Sequence, residues 1–312
     1  MRLVFMGTPA FAVPTLERAA AAGHSIAAVF TQPDRPAGRG GKLSAPPVKQ
    51  AALALGIPVH QPAKIRTAEV HDLLRSFGAD AFVVVGYGKI IPESIIAIPP
   101  LGIINVHASL LPKYRGAAPI QWAIANGETR TGVTTMQIDA GLDTGAILLQ
   151  SATEVGLEET AVELSARLAQ MGADLLVETL AGLSNGTIKP RPQDDSEASY
   201  APVLRKEDGL IDWSQPAAAI NNRIRGFQPW PGCYTHFRGR LLHIWRARVA
   251  AEAAGPAGSL HPGRGGLAVA CGAGTALQLL EVQLEGGRRM DAAAFQNGQR
   301  VKENELLGEG IK

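Results

Sequence analysis

Short runs of apolar residues alternate with amphipathic stretches through the first half of the chain. The apolar runs predict strands, and stretches with an apolar residue every three or four positions predict helices. This alternation favours an α/β fold whose sheet is mainly parallel and has right-handed crossovers. The predicted strands cover residues 3–6, 26–30, 58–60, 81–85, 102–107, 131–138 and 146–151. The predicted helices include 48–55, 67–77, 117–125 and 158–183.

The pattern changes after a polar stretch near the middle of the chain. Residues 190–207 are rich in Pro, Asp, Glu and Ser and lack hydrophobic periodicity, which indicates a linker. Beyond it, short β-type runs lie between Gly-rich turns and predict a small barrel; they cover 241–249, 267–271 and 277–284. We therefore expect two domains, 1–189 and 208–312. A chain of 312 residues is long enough for two cores.

The first predicted strand begins a Rossmann-like β-α-β unit. Its turn reads Gly7, Thr8, Pro9, so the G-x-G-x-x-G sequence of dinucleotide sites is missing. Ligands of such sheets bind beyond the carboxyl ends of the strands. Functional side chains are therefore expected at those ends.

Composition narrows the class of protein. The net charge is +2 and nearly half of the residues are apolar, which is typical of globular proteins. No apolar run is long enough for a membrane span, and the two cysteines have no C-x-x-C spacing, so we expect a cytoplasmic protein in a reducing compartment. The histidines are scattered without H-E-x-x-H, and we expect no metal.

Polar side chains at one predicted strand end carry the strongest chemical signal. Asn105 and His107 are two residues apart and therefore lie on the same face of a strand. Asp143 follows in G-L-D-T-G, where the glycines allow a tight turn that presents its carboxylate. A structural histidine and an ordinary Asp turn are the alternatives. Together, the three groups suit acyl transfer.

A long basic loop follows the second predicted strand. Residues 31–49 carry Arg35, Arg39, Lys42 and Lys49 against Asp34 as their only acidic residue. Such a loop can reach over phosphates and become ordered when the partner binds. A solvated surface loop is the alternative. Residues 208–312 carry 12 Lys and Arg against 9 Asp and Glu, a balance that permits contact with phosphates without demanding it.

Several motifs together identify a resemblance over nearly the whole chain. N-V-H-A-S-L-L-P-K-Y-R-G-A-A-P-I-Q-W starts at Asn105 and G-V-T-T-M-Q-I-D-A-G-L-D-T-G at Gly132. These motifs resemble the formyltransferases that use 10-formyltetrahydrofolate. T-Q-P-D-R-P-A-G-R-G at Thr31, I-D-W at Ile211 and P-W-P-G at Pro229 narrow the resemblance to the branch that formylates methionine on charged initiator tRNA.

The resemblance implies the substrates and a larger set of site residues. It implies 10-formyltetrahydrofolate as the formyl donor, held by the S-L-L-P segment of Ser109, Leu110, Leu111 and Pro112. Residues 113–115 after this segment are expected to form a solvated rim, in which Arg115 could meet an anion. Tyr87, in G-Y-G-K-I-I-P, is expected beside it, although a plain strand-to-helix connection would explain that motif equally well.

The resemblance also implies contacts to tRNA in both halves of the chain. Arg39 matches the arginine of the family's loop that wedges against the acceptor end, and Arg35 and Lys42 are expected to assist it. Gly41 replaces the first of two lysines that the family often has there, which implies weaker docking. The C-terminal half matches an OB-like barrel in which Arg246 and Arg248 are expected to contact phosphates. We expect a monomer, and we expect Trp230 and Trp245 in the core.

The chemistry assigns a role to each of the three polar groups. Asn105 donates to the tetrahedral oxyanion, His107 polarises the same oxygen, and Asp143 orients His107 or accepts the proton of the incoming amine. No Ser or Cys is marked as a nucleophile, so we expect direct transfer in a ternary complex. The alternatives are a formyltransferase for a sugar amine or another small amine, a hydrolase of formyl-folate, and a nucleic-acid-binding protein on an inactive enzyme scaffold.

Overall fold

The computed structural model describes residues 1–37, 42–250 and 255–308. Contacts between residues divide the chain into two compact units. The first consists of Met1–Pro119, Arg130–Glu154 and Ser165–Ala201, and the second of Ile120–Thr129, Val155–Leu164 and Pro202–Lys312.

A seven-stranded sheet forms the centre of the first unit. The strands of this unit are β1 Arg2–Gly7, β2 Ser25–Phe30, β3 Arg35–Ala37, β4 Lys42–Ser44, β5 Val59–His60, β6 Ala81–Val85, β7 Ile103–His107, β8 Arg115–Gly116, β9 Arg130–Gln137, β10 Ile147–Glu154 and β11 Tyr200–Ala201. The sheet order is β10-β9-β7-β6-β1-β2-β5. The pairs from β7 to β5 are parallel, and β9 and β10 are antiparallel to their neighbours. The predicted mainly parallel sheet is confirmed.

Eight helices are described along the chain. They are α1 Val13–Ala21, α2 Pro47–Ala54, α3 Ala68–Ser76, α4 Glu93–Ile96, α5 Pro119–Ala125, α6 Ala161–Ser184, α7 Ala217–Gly226 and α8 Ala292–Gln299. Apolar clusters cover both faces of the sheet: Leu16 and Leu176 pack on one face, and Leu74 and Ile95 on the other. Two-sided burial explains why the parallel strands read as continuous apolar runs.

The basic loop contains a short hairpin that the sequence did not predict. β3 and β4 pair antiparallel within it. At its base, Lys49 Nζ lies 2.8 Å from Asp34 Oδ2, and Gln61 Nε2 donates to Asp34 Oδ1 at 2.7 Å. These bonds hold the pKa of the Asp34 carboxyl below its usual value, with the Gln61 bond as the first cause. The two ends of the loop are therefore tied together.

Much of the predicted linker is ordered on the first unit. Arg191 forms a bridge with Ile147, and β11 pairs in parallel with β8. Consequently residues 190–201 contribute side chains to the first unit, as described below.

The second unit contains a six-stranded antiparallel sheet. Its strands are β12 Cys233–Phe237, β13 Arg240–Ala250, β14 Leu260–Gly263, β15 Gly266–Ala270, β16 Ala276–Leu284 and β17 Met290–Asp291. The order is β12-β13-β16-β15-β14, with β17 paired to β16. This confirms the short strands predicted for the C-terminal part, which form an antiparallel sheet. The expected core position of Trp230 is wrong, since it is 54% exposed, and Trp245 is only partly buried.

None of the described helices combines the length and apolar character that crossing a membrane requires.

Candidate active site

Asn105 and His107 lie on one face at the carboxyl end of β7. Their strand neighbours Ile104 and Val106 point into the core cluster on the opposite face. Register pairs Asn105 with Val84 of β6, and His107 with Thr134 of β9. Among the described residues, the Asn105 side-chain amide has no hydrogen-bond partner. It is therefore available to a ligand.

Both ring nitrogens of His107 face acceptors in the protein. Nε2 lies 2.9 Å from the Tyr114 carbonyl oxygen, which can only accept, so this nitrogen carries the proton. Nδ1 lies 3.7 Å from Asp143 Oδ2, which is an ion-pair distance beyond hydrogen-bond range. The side chains of His107 and Asp143 are 7% and 18% exposed. The structure thus brings together the His and Asp that are 36 residues apart in the sequence.

A tight turn presents the Asp143 carboxylate. Asp143 has a φ of 53°, in the left-handed region, and its Oδ2 accepts a hydrogen bond from Gly116 N at 2.8 Å. Gly145 is required beside it, because a Cβ there would lie 1.8 Å from the Gln137 carbonyl oxygen. The predicted Gly-dependent turn has this physical basis.

The S-L-L-P segment is fixed by side chains of the neighbouring antiparallel strands. Thr134 Oγ1 donates to Ser109 O at 2.7 Å and accepts from Leu111 N at 3.2 Å. Gln150 Nε2 donates to Leu111 O at 2.9 Å. Leu111 packs in a small buried cluster, whereas Leu110 and Pro112 are partly exposed. Sequence reasoning missed both residues: Thr134 stands in the motif that starts at Gly132 but was given no role there, and Gln150 stands in no recognised motif.

Of the three residues after this segment, Lys113 is exposed as expected of a solvated rim, but the other two are buried. Tyr114 is 7% and Arg115 2% exposed. The Arg115 guanidinium donates to Gln193 Oε1 and to Asp195 Oδ1, both within the predicted linker. A buried arginine requires such partners. Nothing local in the sequence marked Gln193.

Tyr87 lies in the core rather than with the S-L-L-P segment. Its side chain packs in the cluster that includes Phe30 and Phe82, and burial raises the pKa of its hydroxyl to about 12. Its backbone carbonyl accepts from Thr8 Oγ1 at 3.1 Å and Gln32 Nε2 at 3.0 Å. Tyr87 therefore organises the ends of β1 and β2.

The basic residues expected to contact tRNA are distributed over both units. Arg35 is exposed on β3, while Arg39 and the side chain of Lys42 lie outside the described residues. In the second unit, exposed Arg246 and Arg248 line a cavity of about 460 Å³ together with Arg225 and Trp245.

Both cysteines are buried, and their thiols have raised pKa values. Burial raises the pKa of Cys233 to about 12 and that of Cys271 to about 11. Both stay protonated thiols near neutral pH, and a protonated thiol is a poor nucleophile.

Family models match both parts of the chain. The model for formyl transferase matches residues 1–180, and that for the formyl transferase C-terminal domain matches residues 203–300. The chain belongs to the formyl transferase family. A methionyl-tRNA formyltransferase from Solibacter usitatus is 65% identical to this formyl transferase over 312 residues, which is 99% of each chain. Another, from Koribacter versatilis, is 56% identical over 309 residues and 99% of each chain.

Solved structures share the fold at low sequence identity. An N-formyltransferase from Helicobacter canadensis, in complex with folinic acid and dTDP-3-aminofucose, superposes with a TM-score of 0.66 at 20% identity. The match covers 89% of this formyl transferase and 98% of that chain. WlaRD, a sugar 3N-formyl transferase, gives a TM-score of 0.67 at 19% identity over 92% of this chain and 99% of its own. This likeness shows the fold alone.

Proposed function

We propose that this formyl transferase moves the formyl group of 10-formyltetrahydrofolate to the methionine amino group of charged initiator tRNA. The observation that carries the proposal is the 65% identity, over 99% of both chains, to a methionyl-tRNA formyltransferase. The juxtaposition of Asn105, His107 and Asp143 supports the same acyl-transfer chemistry. Because the product initiates translation, we propose that the protein works in the cytoplasm. We also propose that the active form is a monomer.

The proposed reaction is a direct attack. The neutral amine forms a bond to the formyl carbon, and the carbonyl oxygen becomes an oxyanion. The bond to the folate N10 then breaks, N10 gains a proton, and the amine loses one. The products are formylmethionyl-tRNA and tetrahydrofolate. The raised pKa values of the two thiols support a route without a cysteine acyl-enzyme.

Asn105 is the proposed donor to the oxyanion. Its amide is free of partners among the described residues, so donation to substrate breaks no existing bond. His107 is different, because its Nε2 already donates to Tyr114 O. For His107 Nε2 to donate to the oxyanion, the substrate must replace the Tyr114 carbonyl as its acceptor, and catalytic hydrogen bonds often reach their final geometry only in the complex with substrate.

Asp143 is the proposed acceptor for the amine proton and the partner of His107. Its Oδ2 is engaged by Gly116 N. Within the described parts of the chain, Oδ1 has no hydrogen-bond donor, which leaves one carboxylate oxygen for the amine or a bridging water. We propose that Ser109, Leu110, Leu111 and Pro112 hold the folate, with Thr134 and Gln150 fixing their backbone.

Contacts to tRNA are proposed at two basic regions. Arg35, Arg39 and Lys42 belong to the loop whose base is tied by Asp34 and Lys49. Arg246 and Arg248 rim the cavity of the second unit, and the Arg225 guanidinium is fixed there by the carbonyl oxygens of Gly156 and Glu159. Cationic groups around a concave surface suit the phosphodiester backbone.

The test is radiolabelled formyl transfer to methionine-charged initiator tRNA. Charged elongator tRNA, uncharged tRNA and a sugar amine serve as parallel acceptors, and released formate is measured in each reaction. Label on the charged initiator tRNA alone supports the proposal. Label on the sugar amine, or formate without transfer, would replace it with the sugar-amine enzyme or the hydrolase. In the same assay, we expect Arg39→Ala to impair the tRNA reaction without weakening folate binding.

A further inference from the structure

A buried arginine determines how one glutamine beside the active site is oriented. Arg115 donates to Gln193 Oε1 from Nε at 3.1 Å and from Nη2 at 2.8 Å. Since a guanidinium only donates hydrogen bonds, Gln193 must direct its oxygen toward Arg115. Its NH2 group is thereby directed away from the arginine.

That NH2 group bridges two carbonyls of the Asp143 turn. Gln193 Nε2 donates to Asp143 O and to Gly145 O, each at 2.8 Å. Carbonyls only accept, so the bonds to Arg115 and to the turn permit the same single orientation of the amide. Asp143 has a positive φ, which non-glycine residues rarely adopt without support. The bridge supplies that support on the backbone, while Gly116 N holds the carboxylate.

Residues 193–199 also fix the peptide group whose carbonyl accepts the hydrogen bond from His107. Ser199 Oγ accepts from Tyr114 N at 2.9 Å, and Ser199 O accepts from Arg115 N at 2.8 Å. Tyr114 O in turn accepts from His107 Nε2. Residues 193–199 therefore bond directly to Asp143, through Gln193, and reach His107 through one intermediate residue, Tyr114.

We infer that Gln193, oriented by Arg115, is a positioning residue that sets the Asp143 carboxylate for the reaction. It acts through the Asp143 turn rather than on the substrate. The inference rests on the proposed function for its kinetic test, and it also has a structural readout that needs no substrate.

The principal variant is Gln193→Glu. It keeps the size of the side chain and an acceptor for Arg115, but it sets a carboxylate oxygen against two carbonyl oxygens of the turn. We expect kcat to fall by roughly 10- to 100-fold, the order of loss that a misplaced catalytic group causes, with KM for both substrates little changed. Arg115→Lys keeps the positive charge but loses the planar guanidinium that donates two hydrogen bonds to Gln193, and it should also lower kcat. Gln170→Glu, on the exposed part of α6, makes the same charge change and should behave as wild type.

A double-mutant cycle separates positioning from a general structural role. Gln193→Glu is compared in the wild-type and Asp143→Asn backgrounds. If Gln193 acts through Asp143, it should lower kcat in the first background and have almost no further effect in the second. Equal losses in both backgrounds, or wild-type kcat for Gln193→Glu in an active enzyme, would overturn the inference.

Hydrogen exchange of the 139–146 peptide tests whether Gln193 supports the Asp143 turn, and this test does not depend on tRNA being the acceptor. Gln193→Glu should accelerate exchange there while peptides of β1 and β6 keep their protection, which also shows that the variant is folded. Unchanged protection of 139–146 would refute the inference. An inactive wild-type enzyme with faster exchange in the variant would reject the proposed substrate and keep the positioning role.

Discussion

Alanine variants of Asn105 and His107 should lose similar activity but differ in folding stability. Asn105→Ala removes the proposed oxyanion donor, a change that typically lowers kcat by about 10²–10³-fold, or about 2.7–4 kcal/mol. Because Asn105 has no partner among the described residues, its truncation strands no buried group. We expect it to cost less than about 1 kcal/mol in the free energy of unfolding.

His107→Ala should be equally inactive but less stable. Removing the imidazole deletes its hydrogen bond to the buried Tyr114 carbonyl and opens a void beside β9, and the two losses together cost about 1–3 kcal/mol. The two variants thus lose similar activity for different structural reasons. Their difference in unfolding free energy should be at least about 1 kcal/mol.

The assay is a single-turnover measurement with enzyme in excess, which isolates the chemical step from product release, paired with urea unfolding. Asn105→Asp keeps the shape, directs an oxygen at the oxyanion and should be no faster than Asn105→Ala. Asn185→Ala, an exposed asparagine of the same unit, is the matched control. The reasoning is refuted if Asn105→Ala reacts within about threefold of wild type, since loss of such a donor is far larger.

Three further outcomes are expected. Arg246→Ala should raise the KM for tRNA and leave the KM for formyl-folate unchanged. In binding titrations at several salt concentrations, it should reduce the slope of the logarithm of the tRNA binding constant against the logarithm of the salt concentration by about 1. An unchanged slope would argue against a contact between Arg246 and a phosphate. Gly145→Ala should unfold at a clearly lower urea concentration, because its Cβ would meet the Gln137 carbonyl oxygen. Gly298→Ala, whose Cβ would enter open space on α8, should leave the stability unchanged or raise it by about 0.5–1 kcal/mol. Equal unfolding midpoints of the two variants would contradict the steric argument for Gly145. Cys233 and Cys271 should resist a thiol reagent at pH 8 until urea is added, because their folded pKa values lie near 12 and 11. The thiols of the unfolded chain ionise near pH 8.5, whereas the buried thiols stay protonated, so the free energy of unfolding should decrease as pH rises above about 8.5. Rapid labelling of the folded protein would contradict the raised pKa values.

Local sequence signals were sufficient for the parallel sheet and for the placement of Asn105 and His107. The apolar run 81–85 matches β6 residue for residue, because a strand buried on both faces has no alternative pattern. The N-x-H spacing placed Asn105 and His107 on one face of β7 for the same geometric reason. The glycines around Asp143 indicated its turn, since the Gly145 position excludes any Cβ.

Local signals failed where burial depends on a distant partner. Arg115 was expected in a solvated rim. Arg115 is buried because Gln193 and Asp195, 78 and 80 positions away, accept its hydrogen bonds. Composition made residues 190–201 look like a free linker, although Gln193, Asp195 and Ser199 form hydrogen bonds with distant residues of the first unit.

The sequence by itself therefore determined the strands of the parallel sheet, the types of the proposed catalytic residues and the tight turn, because each depends on backbone geometry and neighbours only a few positions apart. Only the tertiary structure decided that His107 rests on Tyr114, that Arg115 is a buried donor, and that Gln193 supports Asp143. The reason is physical: a charged or amide side chain is buried only where partners from other segments satisfy it, and one chain segment does not specify which partners will meet it.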